Sequence, residues 1–137
     1  MKASQCQPAA TRKGALQGEV IVLLEDDELI RRATERLLRR FGAEVVAAAS
    51  GGEALQALSA RKLTPSWVLA DYWLGRQESG LGAATTIRNA AIAPVRGLII
   101  TGDLSREVAD DVASAGFGLL RKPVNVDDFL DALVGTS

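Results

Sequence analysis

Histidine is absent from all 137 residues, and the chain holds a single cysteine, Cys6. The first absence removes the commonest general base and the commonest transition-metal ligand. The second rules out an internal disulfide framework, so serine or cysteine hydrolase chemistry is not expected. Aromatic residues are only 4% of a chain that is 47% hydrophobic. Leu, Val, Ile and Ala must therefore fill the interior, which favours layered sheet and helix. The 16 basic and 17 acidic residues leave a net charge of -1, which gives no bulk attraction for phosphate backbones or anionic membranes, so neither is an expected partner. No run approaches the roughly 18 apolar residues of a membrane span. The opening residues also lack the apolar centre of a secretory signal, and a cytoplasmic location is expected. The length suits one domain, with residues 1–18 read as a tail or linker and residues 19–137 as the domain.

What the chain does hold is alternation. Val20-Ile21-Val22-Leu23-Leu24 is a continuous, β-branched-rich apolar run of the kind expected of a strand covered on both faces. It ends in Glu25 and Asp26. Leu29, Ile30, Ala33, Leu37, Leu38 and Phe41 then recur at helical spacing as a core-facing stripe, with Gly42 as the stop. The opposite face carries Arg31, Arg32, Arg36, Arg39 and Arg40, a solvated face or, as the lesser reading, a dock for an acidic partner. A second strand spans 44–48, and Ser50-Gly51-Gly52-Glu53 has the form of a capping box opening a second helix. Strands over 67–70, 97–100 and 117–120 follow, ending at Asp71, Thr101 and Lys122. Between and after them, helices are expected over 80–91 and 105–115, and from an Asn125 cap onward with Val126, Phe129, Leu130 and Leu133 inward. Five strands alternating with five helices predict an α/β fold, a doubly wound parallel sheet between two helical layers.

In such sheets ligands bind outside the carboxyl ends of the strands. Taken alone, Asp71 after an apolar strand is more simply a helix cap. Its company changes that reading, because Glu25, Asp26, Asp71, Thr101 and Lys122 all fall on one edge. Three gathered carboxylates repel unless a cation joins them, and an all-oxygen site with few protein ligands suits Mg2+. A hydroxyl and an ammonium beside it complete a pocket for a small tetrahedral anion.

The fragments Val-Ile-Val-Leu-Leu-Glu25-Asp26, Val-Leu-Ala-Asp71, Ile-Ile-Thr101-Gly102 and Leu-Leu-Arg-Lys122-Pro123 together resemble the response-regulator receiver domain of two-component signalling, over about residues 19–134. The resemblance implies a flavodoxin-like (βα)5 fold with strand order 2-1-3-4-5, acting as a phosphoacceptor rather than an enzyme. Asp71 would take a phosphoryl group from a phosphohistidine on a histidine kinase or histidine phosphotransfer protein. Asp26, Asp71 and the backbone carbonyl of Trp73 would hold Mg2+ directly, and Glu25 would act through water. Lys122 would pair with the phosphoryl oxygens across an expected cis Lys122-Pro123 bond, and Thr101 would move toward the phosphoryl group. The resemblance also implies a homodimer contact through the face of the fourth helix, fifth strand and fifth helix.

Several positions depart from the family pattern. Leu119 stands where many receivers carry the aromatic partner of the switching threonine, so the family route from Thr101 to the outer surface is expected to be weakened. The loop after Asp71 lacks the common proline and is one residue longer. Trp73 and Asp103 occupy positions that tune phosphoryl lifetime in the family, and Trp73 is expected to shield the acyl phosphate. Asp71-Tyr72 and Thr101-Gly102-Asp103 look similar to receivers fused behind sensor histidine kinases, an impression consistent with the linker-like start and the absence of an output domain after Ser137. The alternatives are a phosphorylation-independent pseudo-receiver acting as a dimerisation or interaction module, an aspartate-nucleophile phosphatase and a flavin carrier. The phosphatase would want a second Asp where Trp73 stands. The flavin carrier would want a Ser/Thr/Gly-rich loop where the first strand ends in acid, and no Gly-rich nucleotide loop occurs.

Overall fold

The computed structural model describes residues 13–75, 78–103 and 105–134. Parallel strands β1 (Val20–Leu24), β2 (Glu44–Ala48) and β3 (Trp67–Asp71) alternate with helices α1 (Glu28–Arg40) and α2 (Gly51–Arg61). A hairpin of two-residue strands, β4 (Trp73–Leu74) and β5 (Glu78–Ser79), follows β3. Then come α3 (Gly80–Ala90), β6 (Arg96–Thr101), α4 (Arg106–Ser114), β7 (Gly118–Arg121) and α5 (Val126–Val134). The sheet order is β2-β1-β3-β6-β7. Once the hairpin is set aside, this is the expected 2-1-3-4-5 arrangement of a flavodoxin-like fold.

Local chemistry explains the helix starts. Asp27, Ser50, Ser79, Ser105 and Asn125 each accept a hydrogen bond from the backbone N–H three residues on, supplying an acceptor for an otherwise orphaned donor. Glu53 reaches back to the Ala49 N–H at 2.9 Å, so the expected box on α2 forms, displaced by one residue on its return arm. Gly42 (φ +104°) and Gly116 (φ +82°) follow the last residues of α1 and α4 in the left-handed conformation that favours glycine.

Strand residues alternate between two apolar layers. Val22, Leu24, Val46, Val68, Ala70 and Ile99 face α2, α3 and α4 through Ala54, Leu58, Ala84, Ile87 and Val112. Ile21, Leu23, Val45, Leu69 and Leu98 face α1 and α5 through Leu38, Phe41, Phe129, Leu130 and Leu133. Leu16, in the stretch expected as tail, is 1% exposed in this second layer, and its N–H donates to the Phe41 carbonyl at 2.9 Å.

Two expectations need correction. The α1 stripe is buried only at Leu38 and Phe41, with Leu37 half-buried; Leu29 is 79% exposed, Ile30 47%, and Ala33 is exposed as well. Periodicity identified a common face, but among the described residues no neighbour buries Leu29, Ile30 or Ala33 in its amino-terminal half. On the opposite face Arg32, Arg36, Arg39 and Arg40 are exposed as expected, and Arg31 and Arg39 also donate to the backbone carbonyls of Glu25 and Val45. The last strand also begins one residue late. Phe117 belongs to the layer below, its ring lying where a Cβ on Gly97 would be 2.2 Å away, so only glycine there admits the ring.

Candidate functional site

Parallel pairing carries the ends of β1, β3, β6 and β7 to one edge. Asp71 stands opposite Ile100 in register and Thr101 opposite Arg121, while the Lys122 N–H donates to the Thr101 carbonyl at 3.0 Å. That register lets the Lys122 side chain reach across the end of β6, and its Nζ meets Asp71 Oδ2 at 2.7 Å. The pair is partly solvent-exposed, and the Lys122-Pro123 bond is cis, as expected.

The other expected residues take distinct stations around this pair. Thr101 is buried, and its hydroxyl oxygen accepts from the Asp103 N–H at 3.0 Å without bonding Asp71. Asp103 in turn accepts from the N–H of Ser105, the cap of α4. Glu25 is buried at the end of β1, with Oε2 accepting from the Asp27 N–H at 3.1 Å, whereas Asp26 is exposed. Trp73 is 59% exposed and meets Tyr72 edge to face, ring centroids 4.8 Å apart. Leu119 is half-buried in β7, packed against the core beside Ile99.

Burial raises the Glu25 carboxyl above its ordinary value, against the Asp27 hydrogen bond that lowers it. The Asp71 charge and a hydrogen bond with Asp26 raise it further, and Lys122 opposes them. Among the described residues, no three metal-ligating side chains close into a ready-made cluster. The Asp71 charge nevertheless reaches Glu25 and disfavours the ionised form of its carboxyl. The Asp26 and Asp71 carboxylates and the Trp73 carbonyl are all hard oxygen donors, a chemistry that would suit Mg2+ with water completing the shell and not a closed protein cage.

Three features have no local sequence signal. The hairpin folds back over Asp71, with the Gly80 N–H donating to the Tyr72 carbonyl at 2.7 Å; a Cβ on Gly80 would lie 1.6 Å from the Asp71 carbonyl oxygen. Glu78 accepts from the Gly51 N–H at the start of α2, fastening the hairpin there. Tyr72, buried under α4, donates its hydroxyl to Asp111 at 3.3 Å, and burial together with the Asp111 charge raises its phenol above the ordinary value.

Beside the Asp71–Lys122 pair opens an apolar groove of about 480 Å3 between α1 and α5, lined by Ile30, Thr34, Leu37, Val124, Val126 and Phe129. On the other side Tyr72, Trp73, Asp103 and α4 residues line a more polar pocket of about 460 Å3. No helix among the described residues is long and apolar enough to cross a membrane.

Residues 21–134 match the response regulator receiver domain family. The chain is similar to the transcriptional regulatory protein PdtaR of Mycobacterium tuberculosis, 30% identical over 115 residues that cover 82% of this chain and 54% of that protein. It therefore spans about half the length of this curated relative. Among solved structures it is similar to the chemotaxis protein CheY4 of Vibrio cholerae, with a TM-score of 0.74, 25% identity, and 87% and 98% of the two chains covered. It is also similar to a response regulator protein from Burkholderia pseudomallei, solved with a phosphorylated aspartic acid, a calcium ion and citrate. There the TM-score is 0.72 and the identity 28%, over 84% of this chain and 66% of that one.

Proposed function

Since the chain belongs to the response regulator receiver domain family, we propose that Asp71 is its phosphoacceptor, charged by a phosphohistidine on a histidine kinase or histidine phosphotransfer protein. Receiver domains are regulatory components of two-component signalling and not classical enzymes. The observation that carries the residue-level reading is the 2.7 Å contact between Lys122 Nζ and Asp71 Oδ2 at the carboxyl edge of the sheet.

In the transfer, an Asp71 oxygen forms a bond to phosphorus as the partner's phosphorus–nitrogen bond breaks. The departing imidazole nitrogen keeps the electron pair and takes a proton from solvent, leaving an aspartyl phosphate. Such a step needs alignment and charge neutralisation more than acid or base catalysis, which suits a chain without histidine. The Lys122 ammonium, already on the nucleophile, moves to the phosphoryl oxygens. The Thr101 hydroxyl, which accepts from Asp103 through its oxygen, keeps its own proton to donate. Asp26, Asp71 and the Trp73 carbonyl would hold Mg2+, with Glu25 acting through water. The ion would supply positive charge to the transferred group.

The groove between α1 and α5 leads to Asp71, and the exposed Ile30 on its lining fits an apolar helical stripe on the phosphodonor. The homodimer contact through α4, β7 and α5 belongs to the same partner reading. Trp73 and Asp103 line the pocket on the far side and set the phosphoryl lifetime, with the indole limiting the approach of water.

The test is incubation with acetyl phosphate and Mg2+ followed by intact mass measurement. Wild type is expected to gain one acid-stable, base-labile phosphoryl group and Asp71→Ala none. An adduct that persists in Asp71→Ala, or none on wild type, would defeat the assignment.

A further inference from the structure

We propose that the Tyr72 hydroxyl and the Asp111 carboxylate form a latch that ties the phosphoacceptor strand end to α4 and opposes the rearrangement that follows phosphorylation. The inference rests on the reading of Asp71 as phosphoacceptor.

Tyr72 follows Asp71 directly in the chain and is held at three points. Its N–H donates to the Ile100 carbonyl of β6 at 3.2 Å, its carbonyl accepts from Gly80 at the start of α3, and its hydroxyl donates to Asp111 Oδ2 on α4 at 3.3 Å. The ring is 8% exposed and belongs to the same apolar cluster as Val108 and Val112 of α4. A second tether reaches α4 at its start, where Thr101 Oγ1 holds Asp103 and Asp103 holds the cap Ser105. Site and helix are thus joined twice, at the amino end through Thr101 and near the middle through Tyr72.

The two tethers respond differently when Asp71 is charged. A Thr101 that moves toward the phosphoryl group carries along or redirects its bond with Asp103, which drags or releases the start of α4. Tyr72 sits one peptide from the modified residue and keeps α4 at its resting position as long as the Asp111 bond lasts. Leu119 offers no polar atom with which to take over either role. A contact made only in the resting state adds its net worth to that state, so its removal shifts the population toward the charged form.

The experiment titrates wild type, Tyr72→Phe, Asp111→Ala and the double variant with beryllofluoride in saturating Mg2+, following backbone amide shifts. Tyr72→Phe keeps the buried ring, and Asp111→Ala puts a good helix former at an exposed position, so both are expected to fold. Each single variant is expected to bind the phosphoryl mimic about two- to tenfold tighter, the equivalent of one net hydrogen bond. The double variant is expected to gain no more than either single one. Unchanged or weaker binding in the single variants, or additive gains in the double, would overturn the latch while leaving Asp71 as phosphoacceptor. A wild type that binds no mimic would overturn both.

Discussion

On one face of the sheet α2 and α3 bury Ala54, Leu58, Ala83, Ala84 and Ile87, and the space they leave, about 390 Å3 at their carboxyl ends, is lined by none of the site residues. On the other, α1 and α5 cover the sheet through Leu38, Phe41, Phe129 and Leu133 but leave about 480 Å3 open beside Asp71, with Ile30 on its rim. The sheet contributes similar branched apolar residues to both layers, so the difference lies in the helices. Small residues on α2 and α3 permit close approach, whereas the amino-terminal half of α1 presents Leu29 and Ile30 exposed among the described residues. An unburied apolar stripe costs the isolated domain stability it could have gained. Its position next to the nucleophile gives that cost a use, since a partner that fills the groove arrives already aligned.

The comparison is most easily broken by stability measurements. Ile87→Ala in the closed layer is expected to cost about 2–5 kcal/mol in urea denaturation, as for other large-to-small core changes. Ile30→Ala on the open layer is expected to stay within about 0.5 kcal/mol, as for surface positions. Comparable losses at the two sites would mean that the groove is closed in solution.

A smaller effect sharpens the functional half of the contrast. Ile30→Asp is expected to slow phosphoryl transfer from the partner protein about tenfold, or about 1.4 kcal/mol of docking free energy. Labelling by acetyl phosphate, which needs no docking surface, is expected to be unaffected. An equal fall in both reactions would place Ile30 in the chemistry and not in recognition.

The smallest effect concerns Glu25, at the inner end of the groove. Its carboxyl is raised in the folded protein, chiefly by burial, so the folded state holds its proton to higher pH than the unfolded chain does. Across the window just above the ordinary glutamate value, stability of the Mg2+-free protein therefore falls as pH rises. Glu25→Gln is expected to flatten that slope and raise the melting temperature at neutral pH. A variant with an unchanged slope would show that the burial penalty is relieved in some other way.

Much of the fold was legible because its signals are local. Ser50 and Asn125 announced helix starts, and the run from Val20 to Leu24 announced a doubly covered strand. Asp71 and Lys122 could be brought together on paper because parallel strands deliver their ends to one edge. The α1 face was misread because a 3.6-residue period says which side chains point the same way but not whether anything lies opposite them. The hairpin of Trp73–Leu74 and Glu78–Ser79 escaped because two-residue strands are too short to show alternation. Tyr72 and Asp111 lie 39 positions apart on different elements, and nothing in either neighbourhood names the other.

The chain's two tryptophans have opposite fates. Trp67 is 5% exposed, with the Arg96 guanidinium 4.7 Å above its ring, while Trp73 is 59% exposed two residues beyond Asp71. A water-soluble quencher such as iodide should therefore reach one indole and spare the other, and the quenchable part of the emission comes from the rim of the site. The domain carries its own optical probe, able to follow occupancy of the Asp71 edge in real time without any attached label.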